Sequence, residues 1–141
     1  MIIADTGFWL ALINSKDKYH FRAKQVLVTL KEPLITTCAV MTEVSYLLLK
    51  RLGTHAQMKF IEIYEKGAFE VFQLTKNHAL RIKELMRKYA DLPMNLADAS
   101  LVVLAEHFGH GRILSSDKCD FDTYRWKQHK PFSNMLIPKD I

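Results

Sequence analysis

A chain of 141 residues has the length of one domain and can build an apolar core without disulfide or metal staples. It is 49% apolar and 25% charged with only 5 Gly and 4 Pro, which excludes collagen-like, low-complexity and disordered chains. No stretch approaches the ~20 apolar residues of a membrane span, and the net charge of +5 favours polyanionic partners.

Met1–Ala4 reads as a short apolar strand, and Asp5 follows it at once. There is no basic start and no apolar stretch of signal-peptide length, so no leader is expected. Thr6 is placed to cap a helix over Gly7–Asn14, and Ser15–Lys18 is a polar turn. His20–Lys31 carries Ala23, Val26, Leu27 and Leu30 at helical spacing, and Glu32-Pro33 stops it. Leu34–Thr37 is a second strand. Thr36 or Thr37 then caps a helix to Leu52, closed by Gly53, and Thr54 caps another to about Lys66.

Ala68–Leu74, rich in Phe and Val, is a third strand. Thr75 opens a helix to about Ala90, and Asp91-Leu92-Pro93 is a loop. Asn95 or a neighbour opens a very apolar helix over Ala97–Phe108, broken by Gly109 and Gly111. Arg112–Ser115 is a fourth strand, Asp117–Lys130 a polar segment with aromatics, and Phe132–Ile137 a last short strand. Cys38 and Cys119 form no CxxC pair. Both are expected as reduced thiols of a cytoplasmic protein, Cys38 as a small buried hydrophobe.

Strands alternating with helices predict an α/β fold with a mainly parallel sheet. Ligands of such sheets collect outside the carboxyl ends of the strands. Asp5 directly follows the first strand, and Asp117 lies just beyond the fourth. Glu43 is early in the helix after the second strand, and Asp98 is in the first turn of the helix before the fourth. Asp98 sits in the apolar run Leu96-Ala97-Asp98-Ala99-Ser100-Leu101, where an unpartnered charge is costly. Four carboxylates converging on one sheet edge repel one another, and a hard divalent cation such as Mg²⁺ or Mn²⁺ relieves that repulsion. Asp5, Asp98 and Asp117 are therefore the expected metal ligands, and Glu43 orients metal or water.

Other constellations are absent. There is no GxGxxG or GxxxxGK[ST], no HExxH and no zinc spacing among the 6 His and 2 Cys. Arg125, Lys127 and Lys130 interleave with Tyr124, Trp126 and His129 shortly after Asp117. That mixture suits an RNA backbone and stacked bases, with Arg125 and Trp126 as candidate contacts. The helix Cys38–Leu52 carries more apolar residues than one core-facing stripe requires, which predicts an association surface.

Four segments carry a family resemblance. Met1-Ile2-Ile3-Ala4-Asp5-Thr6-Gly7-Phe8-Trp9 resembles the opening of PIN-domain ribonucleases. Thr42-Glu43-Val44 and Pro93-Met94-Asn95-Leu96-Ala97-Asp98-Ala99-Ser100-Leu101 follow in the family's order. Arg112-Ile113-Leu114-Ser115-Ser116-Asp117-Lys118-Cys119-Asp120-Phe121, with Tyr124-Arg125 after it, resembles the fourth acidic block. Within the family the chain is most similar in style to the VapC toxins of toxin–antitoxin pairs. The resemblance implies one PIN-like nuclease domain over residues 1–141, with a three-layer α/β/α fold and a central sheet of four to five strands. It implies a Mg²⁺- or Mn²⁺-dependent endoribonuclease with Asp5, Glu43, Asp98 and Asp117 as the catalytic acids. Thr6 and Ser116 match hydroxyl positions that hold substrate or water, and Asp120 a further acidic position. Asn95 stands where many relatives have Asp and is not counted as a ligand. An antitoxin partner and a homodimer are implied as well. Two other readings compete: a non-catalytic RNA-binding module using the basic groups, and a metal-dependent phosphatase acting on small molecules.

Overall fold

The computed structural model describes residues 1–137, without the side chains of Lys118 and Cys119, so the expectation for Cys119 lies outside the described residues. β1 (Ile2–Ala4) runs through the middle of a five-stranded sheet of order β3-β2-β1-β4-β7. β2 (Leu34–Thr37), β3 (Phe69–Phe72), β4 (Arg112–Leu114) and β7 (Ser133–Asn134) complete it. Every pairing is parallel, with Ile3 opposite both Ile35 and Ile113. This is the α/β/α architecture expected, with helices flanking a parallel sheet. β1, β2 and β4 are buried throughout or nearly so, as strands covered on both faces must be.

The helices are α1 (Thr6–Ile13), α2 (His20–Thr29), α3 (Cys38–Leu52), α4 (Thr54–Glu65), α5 (Ala79–Lys88), α6 (Leu96–Phe108) and the short α7 (Lys118–Thr123). The chain first adds strands on one side of β1, then returns to place β4 and β7 on the other. Strand order therefore reverses between β1 and β4, and a crevice opens there at the carboxyl ends. Trp9, Phe60 and Phe69 form an aromatic centre to the core, with ring centroids 4.4–5.7 Å apart. Among the described residues no helix is long and apolar enough to cross a membrane.

Several local expectations shift. Asp5, not Thr6, occupies the N-cap of α1 and accepts from the Thr6 amide at 2.6 Å. The helix expected after Thr75 begins as a single 3₁₀ turn, Lys76–His78, because the His78 ring accepts from the Thr75 amide. Cys38 is exposed rather than buried, since it opens the first turn of α3 just after the capping Thr37. The polar segment after α7 folds into an antiparallel hairpin of β5 (Arg125–Trp126) and β6 (Lys130–Pro131).

The hairpin corrects one functional expectation. Trp126 is only 6% exposed and offers no stacking face to a base. Its indole N–H donates to the Pro131 carbonyl at 3.0 Å. Beneath it lies Gly111, where a Cβ would stand 2.4 Å from the indole nitrogen. Trp126 thus rivets the hairpin to the start of β4, the end of that strand away from Asp117. We predict that Gly111→Ala lowers stability by about 1–3 kcal/mol, the usual cost of forcing an extra methyl into a packed contact. A thermal melt at pH 7 checks it.

Candidate active site

Each acid is placed by a strand end or a helix start. Asp5 leaves the carboxyl end of β1 and is 4% exposed. One of its oxygens caps α1; the other accepts from the Ser115 hydroxyl at 2.8 Å, across the β1–β4 crevice. Ser115 Oγ in turn accepts from the Asp117 amide at 2.9 Å. Asp117 then caps α7, accepting from the Asp120 amide at 3.1 Å. One serine so links Asp5 and Asp117, the first and last of the four predicted acids.

The other two acids are joined by Asn95. Its side-chain oxygen caps α6 by accepting from the Asp98 amide at 2.9 Å, and its Nδ2 donates to Glu43 Oε2 at 3.2 Å. Below them Thr37, the cap of α3, meets Ser100 of α6 at 2.6 Å between hydroxyl oxygens. The two helix starts are therefore tied together, which holds the half-buried Glu43 and Asp98 on one wall of the cleft. Asp98 has a further partner: the Tyr124 phenol donates to its Oδ2 at 3.0 Å.

Burial and mutual repulsion act together on these carboxyls. Burial pushes the Asp5 carboxyl up to about 7, and the charges of Asp98 and Asp117 add to it against the lowering bonds of Ser115 and Thr6. Burial raises Asp98 to about 6, with Glu43 and Asp117 contributing and Tyr124 opposing. Asp120 is also raised to about 6, by burial first and then by sharing a hydrogen bond with Asp117. The Tyr124 phenol is raised by burial and by the Asp98 charge, so it remains a donor. No described Lys, Arg or His forms an ion pair with any of the five acids.

The structure thus gathers Asp5, Glu43, Asp98 and Asp117, and brings Asp120 to them. Ser116 precedes Asp117, and its hydroxyl packs on Gly7, where a Cβ would come within 1.8 Å of Ser116 Oγ. Thr6 is not offered to a substrate: it is 6% exposed, its hydroxyl enclosed and unpartnered among the described residues. Arg125 is spent on the fold, its Nη1 donating to the carbonyls of Asp122, Thr123 and Tyr124 at 2.8–3.1 Å, where it closes α7. The Lys127 amide donates to Glu106, eight residues beyond Asp98 on α6 and so about 12 Å along the helix. The Lys127 backbone therefore stands away from Asp98. Sequence reasoning named Ser115 and Tyr124 only within the fourth block, with Tyr124 also among the aromatics beside the basic residues, gave neither a role at the acids, and took Asn95 as a helix opener but not as a ligand. The local signal for a structural role was Asn95's position at the head of an apolar run.

Among the described residues, no three His, Cys, Asp or Glu side chains form a ready cation cage. Mg²⁺ asks for less, one or two carboxylates with waters and substrate oxygens filling an octahedron. A crowded all-carboxylate cleft without counter-charge fits that demand.

Comparison with known proteins agrees with this geometry. The PIN-domain family model matches residues 2–127. The chain belongs to the PIN-domain family. It is similar to the ribonuclease VapC26 of Mycobacterium tuberculosis (strain ATCC 25618 / H37Rv), 26% identical over 124 residues that span 88% of this chain and 92% of that one. The crystal structure of Mycobacterium tuberculosis VapC20, a toxin that cleaves the sarcin–ricin loop, superposes with a TM-score of 0.76. It covers 83% of this chain and 90% of its own at 23% identity, which shows a shared fold.

The raised carboxyls give a pH dependence of stability. A folded-state pKa above the unfolded one means the native protein holds more protons, so the contribution is greatest below about 4 and is lost as pH rises through about 6 and 7. The half-buried His110, lowered by burial, works in the opposite sense over part of that range. In EDTA, the melting temperature should therefore fall more steeply between pH 5 and 7.5 for the wild type than for Asp5→Asn. Parallel curves for the two proteins would contradict a protonated, repelled Asp5.

Proposed function

We propose that this PIN-domain protein is a Mg²⁺- or Mn²⁺-dependent endoribonuclease, the toxin half of a VapBC-like pair. The observation that carries the reading is the uncompensated carboxylate cleft: five acids from four stretches of chain, three of their carboxyls raised and none of the five in an ion pair with a described residue. Crowded like charges around a buried Asp5 cost stability, and a cationic ligand offsets that cost. The similarity to a VapC ribonuclease supports RNA as the substrate.

Asp5, Asp98 and Asp117 are the residues that would hold the cation. When bound, it supplies charge neutralisation at a phosphodiester and acidifies a coordinated water. The protein's own part is positioning. Ser115 fixes Asp5 and the backbone of Asp117 together, Asn95 sets Glu43 against Asp98, and Tyr124 commits one oxygen of Asp98. Glu43 keeps an oxygen to orient a water, and Asp120 a carboxyl to accept a proton. Of the residues behind the competing RNA-binding reading, Arg125 and Trp126 are taken up by α7 and the hairpin, which weakens that reading.

Partners follow from the surface. Tyr46, Leu49 and Leu52 of α3 and Met58 and Ile61 of α4 are 44–64% exposed. Such an apolar face supports pairing with a second copy or an antitoxin in the cytoplasm.

The test is a pair of measurements on purified protein. Asp98→Asn is expected to fold and to lose cleavage of RNA by on the order of a hundredfold or more, because the amide keeps the shape and loses the charge. Mn²⁺ at a hundred times its Kd should stabilise the wild type by about 2.7 kcal/mol relative to EDTA. Wild-type cleavage by Asp98→Asn, or identical melts with EDTA and Mn²⁺, would refute the reading.

A further inference from the structure

Tyr124 is the least expected participant in the cleft. It is fully buried, and its ring is held edge-on by Tyr89 at 4.9 Å and by Phe121 at 5.1 Å between centroids. Its backbone is fixed equally firmly. The Tyr124 amide donates to the Asp120 carbonyl at 2.8 Å, its own carbonyl accepts from Arg125 Nη1 at 2.9 Å, and the next amide donates to the Tyr89 hydroxyl at 3.0 Å. A phenol in that setting has one position and no freedom to swing. Its hydroxyl meets Asp98 Oδ2 at 3.0 Å, while Asp98 Oδ1 has no hydrogen-bond partner among the described residues.

A carboxylate on a helix has two oxygens of equal basicity and a broad terminal torsion. Left alone in a cleft of like charges, it would turn away from Glu43 and Asp117. A rigid donor on one oxygen fixes the plane of the group and leaves the second oxygen aimed at its neighbours. Hydrogen-bonded support of this kind around ligating carboxylates is worth 10–100-fold in metal affinity or activity. We infer that Tyr124 is a positioning residue: the buried phenol holds Asp98 in the orientation that presents its free oxygen to a divalent cation. This rests on the proposed role of Asp98 as a ligand.

The inference is tested with Tyr124→Phe, Tyr89→Phe and Asp98→Asn beside the wild type. Tyr124→Phe keeps the ring in its aromatic nest and removes only the donor, so the fold should persist. Mn²⁺ affinity is read by calorimetry, and kcat and KM by RNA cleavage. Tyr124→Phe should weaken Mn²⁺ binding about 10-fold and lower kcat with KM for RNA unchanged. Tyr89→Phe, which frees the Arg125 amide but keeps the ring against Tyr124 and leaves the phenol–Asp98 bond in place, should weaken Mn²⁺ binding far less than Tyr124→Phe.

Wild-type affinity and kcat in Tyr124→Phe, alongside their loss in Asp98→Asn, would overturn the positioning role and leave Asp98 as a ligand. Equal losses in both tyrosine variants would overturn it too, since loosening of the cluster would then explain them. Wild-type Mn²⁺ binding by Asp98→Asn would remove the ligand role itself, and the positioning role with it.

Discussion

The structure turns on one unfavourable placement, a carboxylate buried at the carboxyl end of the central strand. Asp5 is nearly shut off from bulk water, since β1 is covered on both faces and α1 starts at the next residue. Two donors, the Thr6 amide and the Ser115 hydroxyl, soften that burial without neutralising it. Everything around the crevice then has to hold further acids against Asp5 despite their repulsion. Unsatisfied or repelled buried groups are tolerated where the surrounding structure over-determines them. Here the over-determination is visible as a chain of short polar contacts, Asp5–Ser115–Asp117 on one side and Glu43–Asn95–Asp98 on the other.

Two small elements complete that scaffold. The α3 and α6 starts are fused by Thr37 and Ser100, so the spacing of Glu43 and Asp98 is a property of helix packing. α7, six residues long, carries Asp117 at its first cap and Tyr124 at its last. It therefore acts as a strut between two acids, resting on one and hydrogen-bonded to the other. Arg125 closes its carbonyl end and Trp126 pins the following hairpin onto Gly111, so the strut is anchored at the opposite end of the sheet. Arg125, which looks like part of a nucleic-acid grip in the sequence, is a fastening of this strut.

The parallel fold was legible in the sequence because four short apolar strands alternate with helices that have clear caps, such as Thr37, Asn95 and Gly109. The acids were legible because Asp98 stands inside an apolar run and Asp5 at a strand end, where burial makes a charge conspicuous. The supporting residues were not, for a physical reason. Ser115, Tyr124 and Asn95 act through contacts spanning many residues, and nothing local distinguishes a serine that bridges two acids from one that ends a strand. Trp126 misled in the same way: an aromatic among lysines reads as a stacking platform, yet the ammonium groups of Lys127 and Lys130 lie 5.8 and 5.1 Å from its ring centroid while the indole faces inward. Exposure is decided by the strand it pairs with, and that pairing is invisible in a hairpin whose arms are two residues each.

The outer edge of the sheet holds a quieter dependence. Beyond the two residues of β7, the ladder is continued by a side chain: Asn134 accepts from the Ser115 amide at 3.2 Å and donates to the Ser115 carbonyl at 2.9 Å, standing in for a peptide group. Ser115 is thus gripped from one side by an amide and turned on the other toward Asp5 and Asp117. That mimicry works only while the group has both a donor and an acceptor. Deamidation, the slow chemical ageing that turns asparagine into aspartate, would set an anionic oxygen against a carbonyl and add one more negative charge behind a cleft already crowded with them. Old preparations of the protein would then lose the seat of Ser115 without any cleavage of the chain, a change of a single mass unit in a residue that never touches the cleft.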